Sequence, residues 1–151
     1  MKLRQQIKKL KRSKPKVKEQ KQLLLLDGAL KKLSDLGIAV IDNDKYIYSP
    51  LFTITTKSII TSSIGKVQQL KLANEAGRKL IPEILAIALN KPSRREIENM
   101  IVAYVCLKIY IDKQQLQVDK KIIPDLAYAV WYLNDHEPTV QEVEEWNLQK
   151  K

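Results

Sequence analysis

Apolar residues recur along most of this chain at helical spacing, and the breaks fall at turn-forming residues. Leu23, Leu26, Leu30 and Leu33 form one stripe, widened by Leu24, Ala29 and Leu36, which predicts a helix from about Lys18 to Leu36. Gly37 supplies the stop, because glycine enters the left-handed conformation without steric cost. Two short β-branched or aromatic runs follow, Ile38–Ile41 and Tyr46–Ser49, around the polar turn Asp42–Lys45. They predict a β-hairpin over 38–49 that Pro50 ends. Residues 51–64 are rich in Thr and Ile and fit either an extra strand or an irregular lead into the next helix.

Between Gly65 and Asn90 the helical pattern is interrupted by Gly77 and Pro82, so one kinked helix or two helices meeting near Ile81–Pro82 would satisfy it. Ser93 and Glu96, after Pro92, form a capping box that opens a helix to about Asp112. Its run Met100–Leu107 is apolar on nearly every face, which predicts the most buried element, with Met100, Ile101, Tyr104 and Leu107 inaccessible. Residues 113–121 form a polar connection, with Leu116 and Val118 as a candidate short strand. Pro124 suits the first position of a helix to Leu133, and Thr139 with Glu142 caps a last helix bearing Val140, Val143 and Trp146. The fold class expected is mainly α: a small helical bundle with a β-hairpin near residues 38–49 and a basic N-terminal tail.

Charge separates the tail from the rest. Residues 1–22 carry ten Lys/Arg against one acid, Glu19, within a chain of net charge +10, so the remainder is nearly neutral. The expected organisation is a basic tail over 1–22 and one helical domain over 23–151. Leu3, Ile7 and Leu10 give the tail an amphipathic pattern, marginal as an isolated helix and compatible with folding on a partner. The C-terminal end is acidic, with Asp135, Glu137, Glu142, Glu144 and Glu145.

Composition narrows the chemistry. At 44% hydrophobic the 151 residues can bury a core. One cysteine, Cys106, and one histidine, His136, exclude a disulfide framework and a Cys/His metal cluster. Four glycines cannot build a phosphate-cradling loop of the usual kind, and no GxGxxG, Walker or GxSxG motif occurs. His136 belongs to a polar turn and Cys106 to an apolar helix, where it packs as a small hydrophobe. No catalytic residue, metal or cofactor is expected. No apolar run approaches the roughly 20 residues of a membrane span, and no secretory leader pattern opens the sequence, so a cytoplasmic location is expected.

A polycationic arm on a neutral domain points to an anionic polymer, nucleic acid above all. The candidate phosphate contacts are Lys2, Arg4, Lys8, Lys9, Lys11, Arg12, Lys14 and Lys16 in the tail, and Arg78, Lys79, Lys91, Arg94 and Arg95 in the domain. Arg94 and Arg95 stand in the first turn of a helix, where cations oppose the helix dipole, an arrangement that hints at binding. The tyrosines and tryptophans fall on apolar helix faces and read as core or subunit contacts, not stacking platforms.

Two resemblances extend this reading. The segment ALKKLSDLGIAVIDNDKYIYSP (29–50) resembles the last helix and wing of a winged-helix domain, which implies Lys31 and Lys32 facing DNA with Lys45 at the wing tip. The size, basicity and helicity of the whole chain resemble the small helical subunit of multisubunit CRISPR surveillance complexes, which lines the groove for the target strand. The functional expectation is a non-catalytic nucleic-acid-binding accessory subunit, partnered by RNA or DNA and by other protein subunits. The alternatives are a winged-helix-like regulator and a helical protein–protein adaptor, whose tail would contact an acidic protein or a membrane surface.

Overall fold

In a computed structural model, the protein is described over residues 17–88 and 90–148, and its architecture is mainly α with one small hairpin. Helix α1 (Val17–Asp35) leads into strands β1 (Ala39–Asp42) and β2 (Lys45–Tyr48). Helices α2 (Pro50–Thr61), α3 (Lys66–Lys79), α4 (Ile81–Ile87) and α5 (Arg94–Lys113) follow. A short 3-10 turn (Lys120–Ile122) then precedes α6 (Ile123–His136) and α7 (Val140–Leu148). The tail bases Lys2 to Lys16, and the helix expected over 1–12, lie outside the described residues. Helix α1 runs through residue 22, so the boundary drawn from charge falls inside a helix.

Local chemistry accounts for the joints. Gly37 takes φ +76°, with Ile38 N–H bonded to Leu33 O and Gly37 N–H to Ser34 O, a Schellman end that satisfies the last carbonyls of α1. Asn43 and Asp44 both take positive φ between the paired Asp42 and Lys45, so the hairpin turns on two left-handed residues. The outer side of β2 is covered: Tyr46 N–H donates to Pro138 O at 2.9 Å and Val140 N–H to Asp44 O at 2.7 Å. Leu80, helical in φ and ψ, joins α3 to α4, and Pro82 stands in the first turn of α4, so the sequence break resolves as two helices.

The core runs through the middle of these helices. Leu26, Leu30 and Leu33 of α1, Leu80, Ile84, Tyr104, Leu107, Leu126 and Val143 are all nearly inaccessible. Each aliphatic side chain buried this way contributes about 1.5–3 kcal/mol. Helix α6 packs on α5 and α1, while α3 packs along α5.

Three expectations are corrected. The most thoroughly buried helix is α6, not α5: Ile123, Pro124, Leu126 and Tyr128–Val130 are among its buried residues, whereas α5 leaves Ile101 half-buried and Val102 44% exposed. Sandwiched between α1 and α5, α6 is covered on two sides. No strand forms at Leu116–Val118; turns and the 3-10 segment occupy that connection. Residues 50–61, undecided between strand and irregular lead, form a helix because the Ser49 hydroxyl accepts from Phe52 N–H at 3.1 Å and Pro50 fits the first turn.

Candidate nucleic-acid interface

The domain's candidate cations sit at helix ends. At the start of α5 both halves of the expected capping box form, Glu96 N–H to the Ser93 hydroxyl and Ser93 N–H to the Glu96 carboxylate, each 3.1 Å. This fixes the first turn on which Arg94 and Arg95 stand, both exposed, with exposed Lys91 just before it. Arg94 Nε lies 3.3 Å from Glu98 Oε1, but that guanidinium is 94% exposed, so the pair holds it only weakly.

Arg78 and Lys79 occupy the last turn of α3, where cations complement the helix dipole. Lys79 Nζ reaches Glu75 Oε1 at 3.3 Å. Among the described residues, no ion pair involves Arg78, Lys91 or Arg95. Glu75 of α3 meets Tyr104 of α5, while Gln68 and Leu72 share a hollow with Lys108, Ile111 and Asp112.

Gln22 on α1 donates to the Tyr128 hydroxyl of α6. Burial raises the Tyr128 phenol above its ordinary range; the Gln22 bond counters this, and nearby Tyr132 and Glu96 add to the rise. Val17 is five residues before Gln22, about 7.5 Å along the helix. Lys91, Arg94 and Arg95 cluster at the start of α5, and Arg78 and Lys79 at the end of α3. Lys31 Nζ is held at 2.8 Å by the buried Asp27, a hydrogen bond that raises the Lys31 ammonium above its usual range.

Away from these cations, two hollows open beside α2, and they are what sequence reasoning missed. One, of about 250 Å³, is lined by Phe52, Asn99, Trp131 and Asn134 among others; the second, of about 330 Å³, lies between α2, α3 and α5. Both are lined by Ile60, Val102 and Cys106. The signal was the Ser49-Pro50 pair, which starts a helix and so sets Ile54 and Ile60 on a surface. Cys106 packs in the core as expected, its thiol pushed up to about 11 by burial, which keeps it a protonated thiol at neutral pH. His136 ends α6, exposed, stacked on Tyr132 at 4.1 Å.

Among the described residues, no group of three or more His, Cys, Asp or Glu side chains is arranged to hold a metal ion, and no helix is long and apolar enough to cross a membrane. Comparison with protein-family models, curated proteins and solved structures finds no match to the chain.

Proposed function

We propose that the chain is a non-catalytic nucleic-acid-binding accessory subunit, contacting phosphates through its N-terminal bases and helix ends. One observation carries this reading: the capping box fixes the first turn of α5, and Lys91 and Arg95 stand exposed there with no ion pair among the described residues. Lys8, Lys9, Lys11 and Arg12 hold one stretch of phosphates, and Lys91, Arg95 and the positive end of α5 hold another. Such binding reads the backbone and is blind to sequence, because phosphate contacts position without specifying. The same role is implied by the resemblance to the small helical subunit of CRISPR surveillance complexes.

The winged-helix alternative is less well supported. Its wing tip carries Asp42 and Asp44 beside Lys45, and Lys31 is committed to Asp27. The test is direct titration of the full chain with labelled single-stranded and duplex DNA and RNA at several salt concentrations. Salt-sensitive binding to any of them, weakened by Arg95→Glu, supports the proposal. Binding that is missing at low salt, or that ignores salt, removes it.

A further inference from the structure

The second hollow has walls of unusual character for a protein surface. Helix α2 is rich in apolar residues yet buries only Phe52 and Ile59, leaving Leu51 52%, Ile54 67% and Ile60 57% exposed. The turn after it and the start of α3 add Ile64 at 84%, Val67 at 71% and Leu70 at 65%. Isolated exposed aliphatics are ordinary, but a contiguous set marks an interaction surface. Of this set Ile60 and Leu70 line the hollow itself, together with Ile59 of α2 and Ile101, Val102, Val105 and Cys106 of α5.

Charge says what kind of partner fits. Between Asp44 and Glu75 the chain contains no acid, and exposed Lys57, Lys66 and Lys71 fall within α2 and α3. Lys66 lines the hollow itself. Helical spacing sets Lys57 beside Ile54 and Ile60, and Lys71 beside Val67. Glu75 of α3 and Glu98 of α5 each already meet a cation, and Glu96 is engaged in the Ser93 capping box.

We propose that this hollow is a docking groove for one amphipathic helix of a partner protein, whose aliphatic stripe enters between α2 and α3 while its acidic flanks meet Lys57, Lys66 and Lys71. Three competitors fit less well. A second copy docking by two-fold symmetry would set the same lysines against each other. A membrane is flat, and a concave floor suits a convex helix. Nucleic acid would want aromatic platforms, and the hollow is lined by none. The inference stands independently of the nucleic-acid reading.

The test uses the full chain and a fluorescent synthetic peptide with leucines at helical i, i+3, i+4, i+7 spacing and glutamates on both flanks. A twin replaces every glutamate by lysine. The glutamate peptide should bind, and Leu70→Asp or Ile60→Asp should weaken it at least about tenfold. Both sites are solvent-exposed, so thermal unfolding and oligonucleotide binding should be unchanged in these variants. Lys57→Glu with Lys66→Glu should invert the preference between the twins. The proposal is overturned if neither peptide binds, if both bind equally, or if Leu70→Asp leaves the affinity intact, which would put the peptide on the basic tail. It is equally overturned if Leu70→Asp abolishes self-association in sedimentation, binding to phosphatidylserine-rich vesicles, or oligonucleotide binding. Each of those results would assign the face to another occupant.

Discussion

The Tyr104 hydroxyl donates to Glu75 Oε1 at 2.9 Å, tying the middle of α5 to the last turns of α3. The same carboxylate oxygen receives Lys79 Nζ at 3.3 Å and lies 3.8 Å from Lys108 Nζ. Burial alone would raise the Glu75 carboxyl, but the Tyr104 bond, with Lys79 and Lys108, outweighs it and holds the group below its ordinary value of 4.5. A carboxyl depressed in the folded state contributes stability above its unfolded pKa and loses it as pH falls through the folded one. Acid should therefore loosen the α3–α5 contact below about pH 4.5. Tyr104→Phe should cost on the order of 1–3 kcal/mol at neutral pH, since it removes a donor from a partly buried charge. Glu75→Gln should flatten the acid limb of stability against pH. Denaturant titrations across that range check both, and an acid limb identical in Glu75→Gln and the parent would exclude Glu75 as its source.

Phe52 is the larger of the two side chains, with Ile59, that seat α2 on the bundle. It is 1% exposed and meets Tyr48 at 5.4 Å and Tyr110 at 5.0 Å, both edge to face. Phe52→Ala should destabilise by about 3–5 kcal/mol, from lost burial and the cavity left behind. Ile54→Asp, two residues away but 67% exposed, should change stability by no more than about 0.5 kcal/mol. Melting both variants tests whether α2 hangs on this anchor; equal losses would show that its outer face is buried in solution.

The regular parts of this fold were legible where a local rule was strong. The leucine stripe of α1, the Gly37 stop, the Asp-Asn-Asp turn and the Ser93–Glu96 box each depend on neighbours a few residues apart, and each forms as its pattern implies. Helix α2 was not legible, because Thr and Ile favour strands and only the Ser49 cap and Pro50 tip the balance. Burial rank was misread for a different reason. An all-round apolar run such as Met100–Leu107 says that a helix is covered, not by how many neighbours, and Val102 lies where two hollows meet. The candidate cations could be named from sequence, but the seating of α1 through Gln22 on Tyr128, 106 positions apart, is encoded by no local pattern.

That contact also divides the N-terminal region into parts with different energetic weight. Deleting residues 1–16 should leave the unfolding midpoint nearly unchanged, because α1 keeps Gln22 and its buried leucines. Deleting residues 1–22 removes the Gln22 donor from Tyr128 and should cost about 0.5–1.5 kcal/mol for that bond alone. Thermal melts of the two truncations should separate accordingly. A large loss already in the shorter deletion would make residues 1–16 part of the folded domain.

The tail should supply most of the affinity for nucleic acid and little of its specificity. Its cations are mainly lysines, flexible point charges, whereas bidentate reading of base edges favours arginine. Each phosphate neutralised adds about 0.7–0.9 to the slope of log affinity against log salt. Engagement of half the ten cations in residues 1–22 gives a slope on the order of −4. Replacing Lys8, Lys9, Lys11 and Arg12 by Ala should then reduce its magnitude by about 3. Within the domain the structure separates two adjacent arginines. Arg94 is shared with Glu98 and Arg95 is in no ion pair among the described residues, so Arg95→Ala should remove nearly one full phosphate contribution and Arg94→Ala less. Titrations over a salt series measure all three. A slope unmoved by the tail substitutions, or equal small effects of both arginines, would detach the α5 end from the binding path and leave the helix groove as the protein's main contact surface.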